Sequence, residues 1–131
     1  MTQEEKELLL KDLCSRLFCG VMIQHPDLFY PSRMVVEKLV SIDRGHINDD
    51  GVSVEFVKPY LRSMSRMTKK EKSMYLSYCQ CADGDYTGEI LYFDTIESFD
   101  YLNQIHIDYR NLIPRGLALE APKNMYNNKL K

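Results

Sequence analysis

Histidine, cysteine and a run of basic side chains are the groups in this 131-residue chain whose chemistry could go beyond packing. The unperturbed imidazole pKa lies near neutrality, so His25, His46 and His106 are candidates for general acid–base work. His106 has Asp108 two residues on, a spacing that on a strand would put both on one face. That pair defines a small hydrolase or nuclease as one alternative. No Gly-x-Ser-x-Gly elbow, His-Glu-x-x-His pair, P-loop or Gly-x-Gly-x-x-Gly turn accompanies it, so a surface or helix-end histidine is the simpler reading and no catalytic residue is assigned. Cys79-Gln80-Cys81 and Cys14-x4-Cys19 lack a repeated metal knuckle and are expected to be free thiols acting as small apolar residues. Asp83 and Asp85 flank Gly84 without the ligand count of a calcium loop, which makes them turn formers. No metal and no cofactor is expected.

Charge is segregated along the chain. Residues 58 to 72 hold Lys58, Arg62, Arg66, Lys69, Lys70 and Lys72 against Glu71 alone, while 73 to 109 contain no Lys or Arg and seven acids, from Asp83 to Asp108. The fold must join these stretches as internal ion pairs or display two faces of opposite sign. Internal compensation is the simpler outcome. The functional alternative is a site for phosphate, nucleotide, nucleic acid or an acidic protein, built from Lys58, Tyr60, Arg62, Arg66, Lys69 and Lys70 near the positive end of a helix. Arg110 is a further candidate, with anchoring to carbonyls or to a nearby acid as its structural role. Nine tyrosines and no tryptophan favour binding slightly, since tyrosine suits interfaces.

The elements that must position these groups are legible in part. Thr2-Gln3-Glu4-Glu5 has capping-box form, and Leu9, Leu10, Leu13, Cys14 and Leu17 make one helical stripe closed by Gly20. A strand is expected over 20–24, closed by His25-Pro26, followed by a loop to Pro31. A second strand over 34–42 places Met34, Val36, Val40 and Ile42 on one face with Lys38, and Val35, Glu37 and Leu39 on the other. Asp43-Arg44-Gly45 and Asn48-Asp49-Asp50-Gly51 predict two reversals around a short strand at His46-Ile47. Val52, Val54 and Phe56 alternate as a strand that Pro59 ends.

Thr68-Lys69-Lys70-Glu71 caps a second helix over 69–80. Ala82 to Asp85 reads as a turn, Gly88 to Phe93 as a strand, and Thr95 or Ser98 caps a third helix containing Phe99, Leu102 and His106. Pro114, Gly116 and Pro122 then exclude a long helix, and the apolar Leu112, Ile113, Leu117 and Leu119 predict an ordered irregular segment. The expected fold is α+β, a small antiparallel sheet packed by an N-terminal helix and two further helices. It forms one globular domain over 1–126 with a frayed basic end at 127–131.

A net charge of −2 gives no whole-molecule attraction to nucleic acid or anionic lipid. The apolar run Leu8 to Leu10 is far shorter than a signal-peptide core or a membrane span, so a soluble, cytoplasmic protein without a membrane partner is expected.

Several strings resemble those of small uncharacterised proteins of gut Bacteroides-type bacteria and their phages. They are Thr2 to Cys14; Val57-Lys-Pro-Tyr-Leu-Arg62 with Met64-Ser65 and Met67-Thr68; Asp108-Tyr-Arg110 with Leu112-Ile113; and Gly116 to Pro122 with Met125-Tyr126. The pattern has proline at the place of Ser63 and glycine at the place of Asn111, and asparagine is the best non-glycine substitute in a tight turn. The resemblance implies a phage or mobile-element accessory protein in a bacterial host cytoplasm and carries no catalytic role. Together with the missing catalytic motifs it points to a non-enzymatic protein that binds a host or phage macromolecule, foremost a protein partner, with inhibition of a host defence as one such role. A nucleotide or nucleic-acid binder using 58–72 is the alternative, and the oligomeric state is left open.

Overall fold

The computed structural model describes residues 1–83 and 90–126. Helix α1 (Gln3–Ser15) starts from the expected capping box: the Glu5 amide donates to the Thr2 hydroxyl at 3.0 Å and the Thr2 amide to the Glu5 carboxylate at 2.9 Å. Leu9 and Leu13 are fully buried, but Cys14 is exposed and Asp12 and Arg16 share the inner face. The helix stops earlier than Gly20 suggests. Arg16 caps it, and Gly20, at φ 78°, closes the turn that follows.

Strand β1 (Met22–Pro26) runs through His25 and Pro26 instead of ending before them. It pairs antiparallel with β2 (Met34–Lys38) in the register Ile23↔Glu37 and His25↔Val35. Ile23 and His25 point inward, as do the half-buried Val35 and Glu37, whereas Met34 and Val36 stand exposed. The strand expected to reach 42 breaks after Lys38 because the Asn48 side chain takes over the backbone there. Its amide donates to Lys38 O at 2.8 Å, and its oxygen accepts from the Val40 and Ser41 amides at 2.7 and 3.1 Å.

A three-stranded meander follows: β3 (Ile42–Asp43), β4 (His46–Ile47) and β5 (Val52–Ser53). Its first reversal uses Arg44 and Gly45, both at positive φ, as a two-residue hairpin requires. The alternation of Val54 and Phe56 does not continue the strand, since Val54 to Phe56 form a single 3-10 turn. Pro59 ends no strand either. It lies near the start of β6 (Lys58–Ser63), opposite Ile23, where one missing amide is tolerated.

Helix α2 (Lys69–Tyr78) is capped by Thr68 and Glu71 as expected. It ends two residues short of 80 because β7 (Gln80–Asp83) begins there, converting the first half of the expected turn at 82–85 into strand. β7 pairs antiparallel with β8 (Ile90–Phe93). The turn at Gly84-Asp85 and the strand start at Gly88 lie outside the described residues. Helix α3 (Ile96–Gln104) is capped reciprocally by Thr95 and Ser98. His106 falls beyond it, in left-handed backbone at φ 65°, just before β9 (Ile107–Asp108).

The last segment is ordered through buried Leu112, Leu117, Ala118 and Ala121 and contributes β10 (Leu119–Glu120). Both late strands pair parallel to β6, β10 with Tyr60 and Leu61 and β9 with Arg62 and Ser63. Leu61 O accepts from Ala121 while the Arg62 amide donates to His106 O. These two groups belong to one planar trans peptide and point opposite ways, so β9 and β10 flank β6 from opposite edges. The α+β class is as expected. Among the described residues, however, the strands divide into three sheets, and the sheet that holds the antiparallel β2–β1–β6 ladder is mixed. The core joins Leu9 and Leu13 of α1 to Val21, Ile23, Ile47, Val52, Val57, Leu61 and Leu112.

Candidate binding surfaces

The seven basic and aromatic residues expected to bind do not form one site. Arg62 leaves β6 to meet Glu71 of α2 through two hydrogen bonds of 3.0 and 2.8 Å, and also donates to Ile105 O and Arg66 O at 3.1 and 3.0 Å. The same Glu71 carboxylate caps α2 through the Thr68 amide. Burial would raise its pKa, but Arg62 and Thr68 hold it below the usual range. Arg66 binds the Glu120 carboxylate and donates to Ala121 O at 2.6 Å, and Ser63 Oγ donates to Glu120 at 2.8 Å. Arg110 donates to Asp12 at 2.7 Å and Ser15 Oγ at 3.1 Å, the anchoring role foreseen for it. Asp12 is also gripped by Arg16 at 2.9 and 3.1 Å, and Arg16 reaches Ile107 O at 2.7 Å. With Asp12 and Arg16 wholly buried, removing Asp12 would leave the Arg16 charge buried without a carboxylate, whereas Asp12 keeps Arg110 if Arg16 is removed.

Three of the candidate cations therefore tie elements together, and their partners are Glu71, Glu120 and Asp12, none of them in the acidic stretch 83–108. Tyr60 is half-buried, its hydroxyl accepting from Gln24 Nε2 at 3.0 Å. Lys58, Lys69 and Lys70 are exposed, and no ion pair among the described residues holds them. A cleft of about 230 Å³ lies over Arg62, Arg66, Thr68, Glu71, Lys123 and Tyr126. It adjoins one of about 200 Å³ reaching Cys19 and His106. The two arginines in these clefts are already matched by carboxylates.

The His106 and Asp108 pairing is not made. Both Asp108 oxygens accept backbone amides, from Leu112 and Ile113, each at 2.8 Å. Asn111, at φ 63°, takes the left-handed turn conformation that glycine favours. His106 stacks on Tyr126 with ring centroids 3.7 Å apart, and its Nδ1 is buried without a partner. Burial, helped by Arg16 and Arg62, pushes its pKa down to about 4, so the imidazole is neutral at pH 7. The four cysteines are free; Cys14 and Cys81 are exposed instead of filling a core, and burial pushes the half-buried Cys19 thiol up.

Two features escape sequence reasoning. The first is apolar exposure: Ile90, Leu91, Tyr92 and Phe93 all stand 46–54% exposed along β8, next to Ile96 at 77% and Phe99 at 38%. Successive strand residues point to opposite faces, so both faces of the hairpin are open among the described residues. A second apolar group, Leu28, Phe29 and Tyr30 with Met34 and Val36, surrounds the β1–β2 connection. The unbroken run Ile90–Phe93 was the available signal, but from sequence it reads equally as a buried strand.

The second feature is a convergence of donors. His25, Glu37 and Asp50 bring an imidazole nitrogen and two carboxylates within 4.8 Å of one another, the one such group able to hold a metal ion among the described residues. His25 Nδ1 lies 2.8 Å from Pro26 O, and Nε2 meets Glu37. Burial opposes protonation of this ring, yet Glu37, the Pro26 carbonyl and Asp50 together raise its pKa. Nothing in the chain spacing marks the trio, because the β1–β2 register is what sets His25 diagonally across from Glu37. Compared with known proteins, the chain matches no family model, no curated protein and no solved structure.

Proposed function

We propose that this chain is a non-enzymatic interaction module that binds a protein partner through the β7–β8 hairpin and the start of α3. The observation that carries the reading is the exposure of every residue of β8 together with Ile96 and Phe99. Large exposed apolar side chains gathered on one hairpin and rimmed by polar residues are what a protein interface draws on. The rim here is acidic, with Asp94, Glu97 and Asp100 beside the apolar residues and no cation between 73 and 109. The partner's matching rim is therefore basic. The resemblance to small proteins of gut bacteria and their phages supports a phage or mobile-element accessory protein in a bacterial cytoplasm, with a host-defence component as one class of partner. A nucleotide or nucleic-acid binder is the second reading, favoured by exposed Lys69 and Lys70 at the positive end of α2.

Affinity capture from host extract with two sets of variants separates these readings. Tyr92→Ser combined with Ile96→Asp should melt like the parent, because the two side chains are 47% and 77% exposed, and should lose the captured protein. Lys69→Ala with Lys70→Ala should retain it. A partner that survives the hairpin change and disappears with the lysines sinks the reading.

A further inference from the structure

We propose that His25, Glu37 and Asp50 bind one divalent transition-metal ion of the zinc type, His25 through Nε2 and each carboxylate through one oxygen. The three come from separate segments: His25 from β1, Glu37 from β2 and Asp50 from the reversal between β4 and β5. Their ligand atoms nevertheless fall within 4.8 Å of one another.

The imidazole is oriented as a ligand. His25 is 2% exposed, and its Nδ1 is placed to donate to the Pro26 carbonyl at 2.8 Å. That bond fixes the tautomer and turns the lone pair onto Nε2, as the outer hydrogen bond of a metal-binding histidine does. Nε2 in turn faces the Glu37 carboxylate. Two acceptors cannot face each other without a cation between them. A proton would serve one carboxylate, but Asp50 brings a second within 4.8 Å. A doubly charged ion uses both carboxylates and is neutralised by them.

The donor set selects the ion. Calcium and magnesium prefer shells made wholly of oxygen, whereas zinc accepts a mixture of imidazole and carboxylate. Donors on a tetrahedral zinc at about 2.0–2.1 Å sit about 3.3 Å apart. The Nε2 to Glu37 contact opens to reach that spacing, and Asp50, exposed on its loop, closes on it. The fourth position is left on the Asp50 side, open to water. A bound ion would tie the edge strand β2 and β1 to the β4–β5 reversal, across the break held by Asn48.

Zinc is the probe, added to the whole chain after chelator treatment, with binding followed by calorimetry and by melting. One ion per chain is expected, and at free zinc about 100 times Kd the melting temperature should rise by about 10 °C. Asp50→Asn and Glu37→Gln should each weaken binding at least tenfold. Asp50 is exposed, so its variant should keep the metal-free melting temperature, whereas His25→Gln perturbs a buried site and is uninformative alone. Cobalt(II) in place of zinc should give a spectrum without a sulfur-to-metal charge-transfer band. Absence of a zinc-dependent shift, unchanged affinity in both carboxylate variants, or a thiolate band assigning the metal to Cys14, Cys19, Cys79 or Cys81 would each overturn the proposal.

Discussion

His106 lies under Tyr126, where burial opposes its protonation and the charges of Arg16 and Arg62 add to that opposition. Its folded pKa of about 4 is below the 6.5 of a free imidazole. The unfolded chain therefore binds more protons between these values, so stability is fully present above pH 6.5 and is lost as pH falls toward 4. Between pH 7 and 5 this one group should cost about 2 kcal/mol. His25 works in the other direction, since its raised pKa favours the folded state below 6.5 and that contribution fades as pH rises through the folded value. His106→Asn separates the two: asparagine tolerates the φ of 65° and cannot titrate. Urea unfolding of the variant should show a smaller loss between pH 7 and 5 than the parent. An identical pH dependence would mean that another group carries it.

From Arg110 to Tyr126 the chain has little regular structure, yet it completes the fold. Leu112 and Leu117 are buried, Arg110 pairs with buried Asp12, and the Tyr126 hydroxyl donates to Tyr60 O at 2.7 Å while accepting from the Met22 amide at 2.8 Å. Each buried leucine is worth about 1.5–3 kcal/mol against a total stability of about 5–15 kcal/mol. A chain truncated after Tyr109 should lose cooperative melting by circular dichroism; retention would mark the segment as a detachable arm. Local signals were readable in the sequence: the Thr2, Thr68 and Thr95 caps and the Arg44-Gly45 reversal. Each is decided within four residues. What failed depends on distant partners. Val54 and Phe56 alternate like a strand but turn back toward Gly45, whose carbonyl accepts the Val54 amide at 2.9 Å. The two-residue strands β9 and β10 exist only because β6 is there to pair with them. The metal-capable trio and the internal use of Arg62 and Arg66 were hidden for the same reason.

Over the whole molecule, two of the six cations in the basic stretch, Arg62 and Arg66, are neutralised from within by Glu71 and Glu120, which reduces what the stretch can do to a polyanion. Lys58, Lys69, Lys70 and Lys72 remain exposed. Four phosphate contacts to single strands would give a log–log salt slope of about −3, and the acids beyond residue 83 oppose longer contacts. Titration of labelled DNA and RNA should therefore show weak binding, with a slope no steeper than that and loss by moderate salt. Tight binding that persists there and is abolished by Lys69→Ala would favour a nucleic-acid function. The central position of β6 also has a bearing on synthesis in the cell. β6 meets β10 only across about sixty residues of chain, so a ribosome adding about 5–20 residues per second leaves the nascent sheet open-edged for about 3–12 s. Through that interval Leu61 and Val57, fully enclosed in the finished molecule, are within reach of chaperones and of neighbouring nascent chains, and rare codons between 63 and 119 would lengthen the exposure.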